Sequence, residues 1–565
     1  MTASATARVL VIGLDGATFR LIRPMVAAGA LPHLGRLLRE GAHGVLRSTI
    51  QPSSEQAWST FMTGVQNGKH GVFGFVQRKP ESYEYQYTNA RSQRARTIWR
   101  ILSERGRRII SINMPMTYPP EPVNGVLVGG LLSPSVHSRF TYPDGIYDEL
   151  KRAIGGYIID VDIETGNLGD AGEARLLAAI AQMTRYRIDA AKYLGRTRPW
   201  DLLSIVFGSA DRASHKFWKY MDLARLASAQ DGKAGVVPSI YRQLDAAVGE
   251  LLEAFADEQT LVLVVSDHGF GPLKKAFFLN QWLVQQGYMA WQAPGRQTLG
   301  TRVRNGFNRV LRRAVHWLDQ PWLATAKRAA FALWPDLKGK LHSSMAYAQV
   351  DWARTRAYGS GTMGNIYLNV RGREPAGVVA PGAEYETLRS EIIAGLRELR
   401  DPETDKPVFE AVYRREEIYH GPYLALAPDI VGLLDPTYHI AAVDWRPAGG
   451  AVIAPLGDEL LFVGDLTGQH DMDGILIAYG PGVRRGAEVA GAGIVDMAPT
   501  ILAALGEPIP DDMDGRVVNA LFERPLSAGV TSAGPAQPAQ EAGDGYSEEE
   551  AEEVAARLRG LGYVS

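Results

Sequence analysis

The chain predicts an α/β protein built on a large, mainly parallel sheet, and three observations carry that prediction. Six short runs, residues 9–12, 108–113, 202–207, 260–265, 430–434 and 475–478, are apolar and rich in β-branched side chains, as strands buried on both faces must be. Helical patterns separate most of them, which is the alternation of a parallel sheet covered by helices. Asp15, Asp211 and Asp267 each follow such a run within four residues, so their carboxylates gather at the edge where these sheets bind ligands.

A length of 565 residues admits several domains, or one large core with insertions. Residues 8–289 and 346–524 read as the sheet-bearing catalytic domain. Residues 290–345 break its pattern. There Val303, Phe307, Val310, Leu311, Ala314, Val315 and Leu318 recur at helical spacing, while Arg302, Arg304, Arg309, Arg312 and Arg313 take the other face. From 296 to 340 ten Lys or Arg stand against two Asp, a local charge of +8 in a chain whose net charge is −2. This segment is expected to be an inserted basic helical cap. Three readings stand for it: a solvated cap whose Trp317, Trp322 and Trp334 pack inward, a lid that draws in anionic substrates, or, over 300–340, a peripheral contact with anionic lipid.

Residues 525–545, rich in Pro, Gly, Ala, Ser and Gln, read as a flexible linker. Residues 546–565 read as a C-terminal helix, opened by a capping box at Ser547 and Glu550 and ended by Gly560 and Gly562. Its stripe of Val554, Leu558 and Leu561 needs a surface, on this chain or a partner, because so short a helix is marginal alone in water.

The small net charge gives no overall attraction to a nucleic-acid polymer. The absence of cysteine excludes disulfides, a thiol nucleophile and thiolate metal sites, leaving nitrogen and oxygen ligands. No charged leader precedes the first strand and no apolar run nears the ~20 residues of a membrane span, so a cytoplasmic location is expected.

Four segments carry the chemistry: Gly13-Leu14-Asp15-Gly16, Asp211-Arg212-Ala213-Ser214-His215, Ser266-Asp267-His268-Gly269 and Gly468-Gln469-His470. The i, i+4 spacing sets Asp211 and His215 on one face of a helical turn. Gly269 and Gly271 permit the turn that would let Asp267 and His268 share an ion. A DxxxH pair alone is most often a solvated helix face, and a lone loop histidine such as His470 is unremarkable. Three aspartates and three histidines in this arrangement are enough for two divalent ions, and the segment from Gln51 to Trp58 adds serine hydroxyls. The combination reads as chemistry at phosphorus.

At these residues the chain resembles the alkaline phosphatase superfamily, in its branch of type I phosphodiesterases and nucleotide pyrophosphatases. The matching stretches are VLVIGLDGAT (9–18), AWSTFMTG (57–64), GKHGVFGF (68–75), DRASHKFW (211–218), VVSDHGFGP (264–272), GQHDMDGILIAYGPGV (468–483) and DMAPTILAALGEPIPDDMDGR (496–516). The resemblance implies an alkaline phosphatase-like three-layer α/β/α fold. It implies two divalent metal ions, zinc first and manganese as the chemical alternative. Asp211, His215 and His470 would hold one; Asp15, Asp267 and His268 would hold the other, with the nucleophile completing that shell. Counted back from Ala57 and Trp58, the nucleophile is Ser54, with Ser53 the competing position.

The implied activity is hydrolysis of a small anionic phosphodiester, of nucleotide or lipid type, through a covalent seryl intermediate. A phosphomonoesterase or phosphotransferase on the same site is the alternative. A non-catalytic member would have lost a ligand, and all six are present. The sulfatase signature, Cys or Ser followed by x-Pro-x-Arg, is missing near Ser54. The chain departs from the nucleotide pyrophosphatases at Ala57, where they carry an asparagine that binds a phosphoryl oxygen. Gln56, Lys69 and Asn365 are therefore the substrate-binding candidates. Lys69 and His70 read first as turn-stabilising, and Tyr419 and Asp429 as structural.

Overall fold

The computed structural model describes residues 8–79, 81–161, 169–221, 223, 232–292, 347, 350–441, 450–456, 466–534 and 545–564. The expected basic cap at 290–345 lies almost wholly outside these residues.

The body is a nine-stranded sheet. In chain order its strands are β1 (Arg8–Leu14), β2 (Ala42–Arg47), β3 (Ile109–Met114), β4 (Gly125–Gly129), β5 (Thr141–Tyr142), β6 (Leu202–Phe207), β7 (Thr260–Val265), β8 (Asp473–Tyr479) and β9 (Ala487–Gly493). They lie side by side as β9-β2-β8-β7-β1-β6-β3-β4-β5. All pair in parallel except β5 and β8, which run against their neighbours. The three central strands β7, β1 and β6 are buried at nearly every position, which requires helices on both faces. Those helices include α1 (Ser54–Thr63), α2 (Gly169–Thr197), α3 (Ser209–Phe217) and α4 (Val236–Phe255). Gly13 pairs with both Val206 and Val265, so β1, β6 and β7 end at one level. Asp15, Asp211 and Asp267 leave the sheet there together.

One strand departs from expectation. Ile430–Leu434 lies outside the central sheet, in a four-stranded antiparallel sheet with Ala357–Ser360, Asn365–Leu368 and Phe409–Arg414. That sheet has its own apolar core, with Phe277, Tyr358, Ile366, Ile392 and Val412, and the helix Ala383–Glu398 covers it. An apolar run announces a buried strand but not the sheet that receives it. Nor are residues 525–534 featureless, since Val530–Thr531 pairs with Ile509–Pro510. The remainder of the expected linker, 535–544, lies outside the described residues.

The final helix, α5 (Glu548–Gly560), forms as its capping box predicts, with Ser547 Oγ accepting from the Glu550 amide at 3.2 Å. It docks on its own chain, and Val554, Leu558 and Leu561 join the main core. Among the described residues no helix is long and apolar enough to cross a membrane.

Candidate active site

At the carboxyl edge of the central strands two triads of side chains converge. Asp211 and His215 both come from α3, one turn apart. His470 reaches them on a two-stranded antiparallel ribbon in which Gly269–Pro272 pairs with Gly468–Asp471 and Phe270 faces His470. In this first triad His215 Nε2 and His470 Nε2 lie 3.0 Å apart. Asp211 Oδ2 is 3.1 Å from His470 Nε2 and 3.3 Å from His215 Nε2. The second triad joins Asp15, Asp267 and His268. There His268 Nε2 lies 3.3 Å from Asp267 Oδ2 and 3.8 Å from Asp15 Oδ1. The His268 and His470 rings stack at 3.6 Å between centroids, so the triads are neighbours. All six residues are at most 5 % exposed.

Each aspartate has one oxygen anchored and the other turned into its triad. Trp58 Nε1 donates to Asp15 Oδ2 at 3.1 Å, and the Gly16 amide donates to Asp267 Oδ1 at 3.2 Å. Asp211 Oδ1 accepts from Arg212 Nη1 and, at 3.0 Å, from Tyr563 Oη. Gly16 itself sits at φ +70°, and a Cβ there would stand 3.1 Å from both Asp211 Cβ and the Phe270 ring. Only glycine tolerates that backbone so close to a ligand.

The free oxygens Asp15 Oδ1 and Asp267 Oδ2 are buried without a hydrogen-bond partner. The histidines sharpen the point. His470 Nδ1 faces the Pro52 carbonyl at 2.9 Å and His268 Nδ1 faces the Gly269 carbonyl at 3.0 Å, so each carries its proton on Nδ1. Their Nε2 lone pairs therefore point at carboxylate oxygens, a contact that a proton on the carboxyl or a bound cation makes favourable.

The electrostatics agree. Burial, together with the neighbouring Asp211 charge, pushes Asp267 up to about 8. Burial, with Asp267 and Asp211 nearby, also raises Asp15. Burial pushes His268 and His470 down to about 4 and lowers His215. Asp211 alone goes the other way: burial raises it, but His215 and Arg212 outweigh that and hold it well below the usual carboxylate range. Neutral imidazoles and crowded carboxyls are what a divalent cation requires and would stabilise. The donors of each triad lie within 4.8 Å of one another, so the residues present fit two ions bound by nitrogen and oxygen.

Ser54 opens α1, and its Oγ lies 3.3 Å from His268 Nε2, on the side of the second triad. Ser53, the competing position, is the residue before the helix, and its hydroxyl donates to Glu55. The substrate-binding candidates fall elsewhere. Gln56 accepts from Asn67 Nδ2 at 2.7 Å and leans toward Glu55. Lys69 Nζ binds Asp514 Oδ1 at 2.5 Å and the Asp512 carbonyl at 2.8 Å. Asn365 starts a strand of the antiparallel sheet, opposite Ser360 and Val431. Among the described residues none of the three hydrogen-bonds to either triad.

Four residues at the site went unassigned in the sequence. Trp58 and Arg212 stand inside matching stretches. Arg212 also grips the buried Asp160 through bonds of 3.0 and 2.7 Å. Asp160 and Tyr563 carry no local signal, because only the tertiary fold brings them here.

A carboxyl-edge site of this make-up on a mainly parallel sheet, in a chain that matches a phosphodiesterase family, marks a hydrolase acting on phosphoric ester bonds. The chain belongs to the type I phosphodiesterase / nucleotide pyrophosphatase family, which it matches over residues 9–456. No curated protein sequence matches it. Similar solved structures include the human ectonucleotide pyrophosphatase / phosphodiesterase 5, at 13 % identity and a TM-score of 0.45 over 88 % of this chain and 94 % of that one. The murine form, inactive and in complex with AMP, gives 12 % identity and a TM-score of 0.47 over the same shares, 88 % and 94 %.

Proposed function

We propose that the protein hydrolyses small anionic phosphodiesters, with Ser54 as nucleophile beside two divalent ions, zinc in the first instance. The observation that carries this reading is the convergence of Ser54 Oγ, His268 Nε2 and the two unpartnered oxygens of Asp15 and Asp267 on one buried point. Asp15, Asp267 and His268 would hold one ion; Asp211, His215 and His470 would hold the other. Such ions supply Lewis-acid stabilisation of charge on phosphoryl oxygens and lower the pKa of a nearby hydroxyl.

The chain's own residues supply position. Trp58, the Gly16 amide and Arg212 fix the aspartates, while the Pro52 and Gly269 carbonyls fix the tautomers of His470 and His268. Ser54, at the start of α1, presents its Oγ where the helix's positive end favours an anionic phosphoryl group. Its Oγ loses its proton to solvent and attacks phosphorus, the new P–O bond forming as the bond to the leaving alkoxide breaks, and the alkoxide takes a proton from solvent to leave as the alcohol. Water then attacks phosphorus, breaks the bond to Ser54 and regenerates the hydroxyl. Gln56 Oε1 accepts from Asn67, which leaves its Nε2 as the candidate for the amide donor absent at Ala57.

The test is hydrolysis of bis-p-nitrophenyl phosphate against p-nitrophenyl phosphate, after chelation and return of Zn²⁺ or Mn²⁺, for the native chain, Ser54→Ala and His470→Ala. Metal-dependent diester turnover lost in both variants is expected. Preference for the monoester would move the function to a phosphatase, and activity retained in Ser54→Ala would remove the seryl intermediate.

A further inference from the structure

The end of the chain reaches into the site. After α5, Tyr563 enters a buried position with its ring stacked on Phe75 at 4.5 Å and 10°. It stands edge-on to His215 at 5.5 Å and to His470 at 5.6 Å. Its hydroxyl is 3.0 Å from Asp211 Oδ1, and Arg212 Nη1 approaches the same hydroxyl at 3.4 Å. The arginine has no acceptor to offer, so the phenol proton is left for Asp211.

The tail that delivers this ring is held along its length. Tyr546 stacks on Tyr118 at 5.6 Å and donates to the Leu132 carbonyl at 2.9 Å. Tyr118 donates to Glu550 at 2.6 Å. Arg557 donates to the Ser133 and Pro134 carbonyls at 2.6 and 2.8 Å. Thr362 caps the Tyr563 carbonyl at 3.3 Å. A segment tethered to its own body docks at high effective concentration, so these contacts suffice to keep Tyr563 in place.

We propose that Tyr563 is a positioning residue of the active site: its hydroxyl, with Arg212, clamps Asp211 Oδ1 and so aims Asp211 Oδ2 at the point it shares with His215 and His470. The inference rests on the reading that this triad holds a divalent ion. The carboxylate has two rotatable bonds between backbone and oxygens, and Arg212 is shared with Asp160. Without the phenol, Asp211 Oδ1 keeps only Nη1 of a guanidinium whose Nε and Nη2 are committed to Asp160. Partners that orient a ligand are typically worth about 10- to 100-fold in metal affinity.

The experiment uses the full chain, stripped of metal and titrated with Zn²⁺ against a chromogenic competing chelator, together with thermal unfolding of the metal-free protein. Tyr563→Phe keeps the ring, its stacking and the docked tail while deleting the hydroxyl. The expected result is two ions bound by the native chain. In Tyr563→Phe, one binding constant falls about tenfold or more while the other, and the metal-free melting temperature, stay unchanged. In a His470→Ala background, where this triad is already broken, Tyr563→Phe should add nothing. Unchanged constants in Tyr563→Phe overturn the inference and leave the two-ion reading intact. A fall in both constants together with a lower metal-free melting temperature also overturns it, since the residue then supports the fold and not Asp211. A native chain that binds no zinc overturns both readings.

Discussion

The two triads use the same two ligand types in opposite proportion, and their supports differ accordingly. Asp211, His215 and His470 offer one carboxylate and two imidazoles, and a guanidinium and a phenol stand behind the carboxylate. Asp15, Asp267 and His268 offer two carboxylates and one imidazole, yet their anchors are an indole N–H and a backbone amide, both neutral. The triad richer in negative charge thus has the weaker electrostatic support from protein. Its charge is met by protonation in the metal-free protein and would be met by an ion in the proposed enzyme, and it is the triad that Ser54 faces.

The largest expected effect lies on that side. Ser54→Ala should lower kcat for bis-p-nitrophenyl phosphate by about 10⁴-fold, whereas Ser53→Ala, whose hydroxyl serves Glu55, should change it less than about threefold. Equal losses would dissolve the distinction between the serines. Next, Asp267→Asn and Asp211→Asn should each remove one of two zinc ions, with activity down on the order of 10²-fold or more. Elemental analysis of the purified variants decides this, and two ions retained in either would break the pairing of residues into triads.

The acid-base contrast sharpens the comparison further. In metal-free protein Asp267 is pushed up to about 8 by burial and Asp211, so below that pH an ion entering the second triad must displace a proton. Asp15 is raised as well, so zinc affinity there should rise about tenfold or more per pH unit from pH 6 towards 8. Asp211 is held low, and burial keeps His470 near 4. The first triad has no proton to displace in that range, and its affinity should stay flat. Zinc titrations at pH 6, 7 and 8 read both, and parallel slopes would refute the contrast. Smallest of all, Trp58→Phe deletes the donor to Asp15 Oδ2 along with part of a buried ring, and should weaken zinc at the second triad about tenfold without touching the first, with some loss of stability besides.

Much of this site was legible because each ligand sits in a short local signal. Asp15, Asp211 and Asp267 follow runs whose apolar, β-branched character specifies buried strands, and the ends of adjacent parallel strands are neighbours by construction. What stayed illegible depends on long-range packing. The run at 430–434 reads like a central strand because apolarity reports burial and not the partner sheet. Gln56 stands close to Ser54 in sequence, but that its Oε1 would accept from Asn67 and its Nε2 lean toward Glu55 is set by packing. Tyr563 follows a helix whose apolar stripe called for a surface without saying that the surface adjoins Asp211.

The ribbon that pairs Phe270 with His470 closes a long excursion of chain, which contains the whole antiparallel sheet. Loop-closure entropy grows only logarithmically, by about 0.6 kcal/mol for each doubling of length. Closing even so long an excursion therefore costs little more than closing a short loop, and two short strands suffice to keep His470 beside His268. The excursion is also fastened to the site from outside the ribbon, since the Gly432 carbonyl accepts from Gln51 Nε2 at 2.9 Å and Thr362 donates to the Tyr563 carbonyl at 3.3 Å, so a graft that spares the reacting centre has to keep both bonds.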